Sequence, residues 1–185
     1  MKIYFHMNIE SFSNCYVIVN EETKAAIIVD PGKLTKEMVN QFEDNGYKPE
    51  AVLITHNHPG HIRGLKTLLK IYDVTVYAAE SEIQGIETIM IGGEGTLNIG
   101  GLEVSYFPVP GHTPVSMVYK IGSVLFTGDV IGAGIIGETN SNYSKMILKR
   151  GIEQKILTLN EDTTIMPGHG PLTSVAAERS FNIDI

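Results

Sequence analysis

Thr55-His56-Asn57-His58-Pro59-Gly60-His61 holds three of the six histidines in the chain. An apolar run, Ala51-Val52-Leu53-Ile54, leads into it, and residues 62–71 follow with helical spacing. Imidazole is the commonest protein ligand for zinc and iron, so histidines clustered at a strand end predict a metal site. Side chains two apart on a strand share a face, so His56 and His58 point the same way if the strand stays extended. Proline suits the first turn of a helix. Pro59 is therefore expected to begin the next element and to set His61 in its first turn, at the rim of the same site. Three more residues sit in the same context, a strand end followed by a glycine-rich turn: His112, Asp129 and His169. The pooled set is five histidines and one aspartate. Such a nitrogen-rich, carboxylate-bridged set suits zinc or iron, whereas calcium and magnesium take oxygen donors. His6 lies outside the pattern and reads as an ordinary strand residue.

These side chains need elements to bring them together. Residues 2–8, 15–20 and 25–30 read as strands, the last two forming a hairpin across Glu21-Glu22-Thr23-Lys24. Thr35 is a plausible cap for a helix with Met38, Val39 and Phe42 on its apolar stripe, ending at Asn45-Gly46. Residues 51–55 read as a buried strand, 62–71 as a helix and 74–78 as a strand. Residues 80–101 are glycine-rich and the least regular. Residues 102–109 form a strand, and 116–121 with 124–127 a second hairpin, followed by a glycine-rich loop over 131–142. A helix over 144–159, a strand over 163–166 and a short helix capped by Ser174 complete the chain. The two halves echo each other. Each has a hairpin ending in an aspartate (Asp30, Asp129), then a helix, then a strand ending in a histidine (His56, His169). A single domain over 1–185, built of two similar halves, is expected. Its architecture would be α/β, with two sheets between helices and the histidines at one edge.

The chain's 185 residues, 43% hydrophobic and 19% charged, describe a globular protein with a sizeable core. The net charge of −7 argues against a nucleic-acid or anionic-membrane partner, which needs a basic face. The one cysteine, Cys15, has no partner for an internal disulfide and fits a reducing compartment. No stretch is long or apolar enough to span a membrane, and the first residues lack a signal peptide's apolar core. A cytoplasmic protein acting on a small molecule is expected.

The motifs Asn14-Cys15-Tyr16, Asp30-Pro31-Gly32, the histidine cluster, residues 109–114, Phe126-Thr127-Gly128-Asp129 and residues 167–171 together resemble the metallo-β-lactamase superfamily. The resemblance is strongest to its glyoxalase II-like branch and covers nearly the whole chain. It implies a four-layer αββα sandwich of two mixed sheets flanked by helices. It also implies that His56, His58 and His112 hold a first metal, that Asp129 bridges, and that His61 and His169 hold a second. The family's pattern is His-x-His-x-Asp-His, and its aspartate is Gly60 here. The second site loses its own carboxylate, so one tight zinc site with a weaker second site is expected. Asp30 reads as a turn residue that positions a histidine.

The implied activity is hydrolysis of a thioester or similar acyl substrate by a metal-bound hydroxide, since a metal lowers the pKa of its bound water from 15.7 to about 7. Asp129 would orient that water or act as base. Glyoxalase II enzymes usually carry an added helical region for glutathione, and a positive residue is common where this chain has Glu138. Tyr143 and Lys145 are the candidates for contacting substrate. Two other readings belong to the same resemblance. One is a mononuclear iron persulfide dioxygenase-like oxidoreductase using His56, His112 and Asp129. The other, motivated by Gly60, is a non-enzymatic binding protein on a degenerate metallohydrolase fold.

Overall fold

The computed structural model describes residues 1–185. In chain order the first half comprises β1 (Lys2–Asn8), β2 (Ser13–Val19), β3 (Ala25–Val29), α1 (Lys36–Asn45), β4 (Lys48–Leu53), α2 (Pro59–Ile62), α3 (Leu65–Leu68) and β5 (Thr75–Ala78). Short strands follow, β6 (Glu82–Ile83), β7 (Ile86–Glu87) and β8 (Ile89–Met90), and then β9 (Gly95–Ile99) and β10 (Leu102–Pro108). The remainder is β11 (Met117–Ile121), β12 (Val124–Gly128), β13 (Ile131–Gly132), β14 (Ile135–Ile136), α4 (Asn142–Lys155), β15 (Thr164–Pro167), β16 (Thr173–Ser174) and α5 (Val175–Phe181).

Two six-stranded mixed sheets are stacked, ordered β1-β2-β3-β4-β5-β8 and β16-β15-β12-β11-β10-β9. In the first, β2 and β3 pair antiparallel and β3 and β4 parallel; in the second, β11 and β12 pair antiparallel and β12 and β15 parallel. The burial pattern follows from this stacking. Every residue of β2 and β3 is buried, and successive side chains enter different cores. Cys15, Val17 and Val19 pack with Met38 and Phe42 of α1 and with Leu65 and Leu68 of α3. Tyr16 and Ile18 face the other sheet, meeting Tyr119, Ile121 and Phe126. On the far side of the second sheet, Val118, Leu125 and Ile165 pack against Leu148 and Ile152 of α4 and Val175 of α5. Three apolar layers separate four structural layers, an αββα sandwich. Strands covered on both faces read as continuous apolar runs, which is why the hairpins stand out in the sequence.

Several expected boundaries shift. Strand β4 starts at Lys48 and its ladder ends at Leu53, so His56 and His58 leave the sheet and stand in irregular backbone. The cause is local: the Thr55 N–H donates to the Asp30 carboxylate at 2.8 Å instead of to a neighbouring strand. The helix expected over 62–71 is two short turns broken at Arg63 and Gly64, where the Gly64 N–H donates to the Pro31 carbonyl at 2.8 Å. Helix α4 starts two residues before Ser144, capped by Ser141, whose hydroxyl accepts the Ser144 N–H. The loop over 131–142 contains the hairpin β13–β14, and the irregular stretch 80–101 holds β6 to β9.

Candidate metal centre

The site lies where the loops after β3, β4, β10, β12 and β15 converge. These loops supply Asp30, the 55–61 cluster, His112, Asp129 and His169 in turn. Hydrogen bonds between the layers fix how the two sheets meet there. The Tyr119 hydroxyl donates to the Ile54 carbonyl at 2.8 Å, and the Met117 N–H to the Thr55 carbonyl at 2.8 Å. The Tyr16 hydroxyl and the Asn14 side-chain amide both donate to the Pro167 carbonyl, at 2.7 and 2.9 Å, just before His169.

All six histidine and aspartate side chains singled out in the sequence come together, in two overlapping groups. In the first, His56 Nε2 and His58 Nδ1 are 2.9 Å apart, His58 Nδ1 and His112 Nε2 3.0 Å, and His56 Nε2 and His112 Nε2 3.3 Å. Asp129 Oδ2 closes this group at 3.6 Å from His56 and 3.5 Å from His112. Nitrogens about 2.0–2.1 Å from a tetrahedral zinc are about 3.3 Å from each other, so the spacing matches one ion. In the second group His61 Nε2 is 3.4 Å from Asp129 Oδ1, and His169 Nε2 is 3.6 Å from Asp129 Oδ2.

The orientation of each ring follows from its other nitrogen. The Thr55 hydroxyl donates to Asp30 Oδ2 at 2.6 Å and so accepts from His56 Nδ1 at 3.0 Å. That bond leaves the His56 Nε2 lone pair facing the site. His61 Nδ1 donates to Asp30 Oδ2 at 2.9 Å, His112 Nδ1 to the Glu138 carbonyl at 2.8 Å, and His169 Nδ1 to the Phe12 carbonyl at 2.9 Å. Metal-bound histidines are characteristically held this way, by an acceptor that sets tautomer and ring angle. Asp30 is thus a positioning residue, as its place after β3 suggested. It is buried and reaches Thr55 and His61 from a left-handed backbone (φ 51°), a conformation aspartate tolerates better than most residues.

Two further observations fit a cation here. His61 Nε2 and Asp129 Oδ1 are buried and lack any hydrogen-bond partner, which is costly unless something else binds them. Position 168 is glycine where a Cβ would collide with Asp129 Oδ1 and His61 Cε1, so the backbone presses directly on the donor set. Electrostatics separate the two groups. Burial, aided by the charge on His61, pushes His56 down to about 2, against the pull of Asp129. Burial and His112 also lower His58. Burial opposes protonation of His61 too, but Asp30 and Asp129 overcome it and raise it to about 10. Asp129 is held below the usual carboxylate range because His61 outweighs the effect of its burial. The positive charge therefore rests on His61 between two carboxylates, while His56 and His58 are held neutral.

Gly60 lies in α2 with its carbonyl accepting from the Ser13 hydroxyl at 2.6 Å. A hydroxyl chain continues from there: Ser11 donates to Ser13 at 2.8 Å and receives the Asn8 amide at 2.7 Å. No second carboxylate joins His61, His169 and Asp129, and Asp30 meets His61 at the nitrogen facing away from them. A cavity of about 330 Å³ opens beside the cluster, lined by His112, Asp129, His169, Ile136, Glu138 and Pro167 among others. Tyr143 and Lys145 are not brought to it. Tyr143 is exposed, and Lys145 pairs with Asp184 at 2.8 Å. Sequence reasoning missed the ring-orienting acceptors Thr55, Phe12 and Glu138. Two of these act through main-chain carbonyls, which every residue has, so no residue type signals them.

Residues 9–88 and 85–175 match the family model of the Metallo-beta-lactamase superfamily. The probable metallo-hydrolase YqgX of Bacillus subtilis (strain 168) is 31% identical over 193 residues, covering 92% of this chain and 90% of that protein. A hydroxyacylglutathione hydrolase of Klebsiella pneumoniae is 32% identical over 166 residues, covering 88% of this chain and 64% of that protein. Among solved structures, the B3 metallo-beta-lactamase BLEG-1 superposes with a TM-score of 0.86 at 30% identity, covering 98% of both chains.

Proposed function

This chain belongs to the metallo-beta-lactamase superfamily, and from that premise we propose that it is a metal-dependent hydrolase of a small thioester or related acyl compound. The observation that carries the reading is the first group. Three imidazole nitrogens converge within 3.3 Å of one another, Asp129 Oδ2 lies 3.6 Å from His56 and 3.5 Å from His112, and the outer nitrogens of His56 and His112 are tied to acceptors. His56, His58, His112 and Asp129 would hold the first metal, and His61, His169 and Asp129 a second, weaker one. Zinc suits both donor sets. Such a metal, when bound, polarises a carbonyl and makes water acidic enough to ionise near neutral pH.

The chain's own residues do the rest. Asp129 touches both groups and presents oxygens to each, so it would orient the attacking water or act as its base. Asp30 and the Phe12 carbonyl hold the His61 and His169 rings rigid, so little reorganisation accompanies reaction. Ile136 and Pro167 line the cavity and exclude bulk water from one side of the reacting carbonyl. The similarity to a hydroxyacylglutathione hydrolase supports a thioester as the substrate class. A second reading, iron-dependent oxidation on His56, His112 and Asp129, draws on the same nitrogen-rich donor set.

Elemental analysis of the purified protein, with turnover assays on thioesters, esters and lactones, tests the reading. Zinc near one equivalent is expected, with thioester hydrolysis that chelation abolishes and zinc restores. Iron with oxygen uptake on a persulfide, and no ester turnover, would overturn it in favour of oxidation.

A further inference from the structure

We propose that the cavity beside the histidine cluster selects ligands carrying a cationic group, and that the Glu138 carboxylate recognises that group. The proposal relies on the hydrolase reading only in calling the ligand a substrate. The ionisable side chains lining the cavity are His112, Asp129, His169 and Glu138. The first three belong to the cluster, so Glu138 alone is left to meet the far end of a ligand. Its carboxylate forms no ion pair: Lys145, which lines the adjoining groove with it, is committed to Asp184 at 2.8 Å.

The main chain at Glu138 is held from two sides. On the cluster side its carbonyl accepts from His112 Nδ1 at 2.8 Å, and the Gly137 N–H donates to the Val130 carbonyl at 3.2 Å. On the other side residues 178–184 clamp the hairpin that carries it. Both Glu178 oxygens accept the Gly134 N–H, at 3.1 and 3.0 Å. The Ile183 N–H donates to the Gly134 carbonyl at 3.0 Å, and the Ile136 N–H to Asp184 Oδ2 at 3.3 Å. The backbone of the wall is therefore organised before a ligand arrives, and less main-chain freedom is lost on binding. Ile135, Ile136 and Pro167 give it an apolar stretch, beside which a charge pair is screened less than in open water. The cavity thus joins a metal-binding floor and an apolar wall to Glu138, an exposed residue whose main-chain carbonyl is anchored to His112. The complementary ligand has a metal-seeking or carbonyl group at one end, an apolar middle and an ammonium or similar cation at the other. The chain's net charge of −7 favours the approach of such a ligand over an anionic one.

The test uses zinc-loaded full-length protein and matched thiols of increasing chain length, aminoalkanethiols against mercaptoalkanoates, with affinities measured by calorimetry. At low salt the cationic thiol should bind tighter than its anionic match by about fivefold at the best length, the order of an exposed charge pair. The ratio should fall to near one in Glu138→Gln, invert in Glu138→Lys, and shrink in about 1 M salt. Taking the ratio within each protein cancels any effect common to both thiols. A ratio that is the same in all three proteins, or a preference for the anionic thiol in the unsubstituted protein, would overturn the proposal. Matched cationic and anionic thioesters assayed in parallel separate the two readings. Charge-selective thiol binding without thioester turnover sustains the role of Glu138 and refutes the hydrolase; turnover without charge selectivity does the reverse.

Discussion

Gly60 is the residue at which this donor set departs from the His-x-His-x-Asp-His pattern. The backbone there accommodates a side chain. A Cβ on residue 60 would lie 3.4 Å from Ser11 Cβ and 3.6 Å from Ser13 Cβ, ordinary packing distances, and the residue sits in the first turn of α2. An acidic side chain near a helix N-terminus is favourable, and glycine within a helix is not. Gly60→Asp should therefore fold at least as well as the parent chain. It should also raise bound metal from about one equivalent toward two, because it returns an anionic donor beside His61. Elemental analysis of the two purified proteins checks this, and equal stoichiometry would sink the account of Gly60. The raised His61 points the same way: a proton held between Asp30 and Asp129 must leave before a second metal can bind, whereas His56 carries none to lose.

At the scale of elements, the centre depends on segments far from it in sequence. Helix α5 and the residues after it hold hairpin β13–β14, whose continuation supplies the acceptor for His112. The key group is Glu178, buried at 3% exposure, which accepts from the Gly134 N–H, the Thr173 hydroxyl and the Asn182 amide. Removing it leaves the buried Asn182 amide and two half-buried donors unpaired, at roughly 1–3 kcal/mol for the buried one and less for the others before relaxation. Glu178→Ala should lose about 2–4 kcal/mol in urea unfolding, seen as a lower midpoint at unchanged slope. A midpoint within error of the parent would show that the clamp contributes nothing. The sequence indicated the helix start at Ser174 and a loop over 131–142, but not that they touch. The bonding partners are 44 and 48 residues apart, and local periodicity carries no information at that range.

Over the whole molecule, the layer between the sheets is built from residues of both halves. Tyr16 from the first half packs on Phe126 from the second, ring centroids 5.4 Å apart, within a fully apolar layer. Unfolding should therefore be one transition, with calorimetric and van't Hoff enthalpies in agreement. Phe126→Ala should lower stability by about 3–5 kcal/mol without splitting that transition. Two resolved steps would mean that the halves fold independently. The sequence by itself determined the donor types, most strands, the capped helix α1 and the sandwich. These rest on side-chain chemistry and on burial patterns that repeat every few residues. Only the tertiary structure decided which nitrogen of each ring faces inward, that Asp30 holds both His61 and the Thr55 hydroxyl behind His56, and that no second carboxylate joins His61, His169 and Asp129. It also placed Glu138, rather than Tyr143 or Lys145, on the cavity wall. Those outcomes depend on which main-chain carbonyls and distant side chains the packed layers bring within hydrogen-bonding reach, and the sum of long-range contacts fixes that.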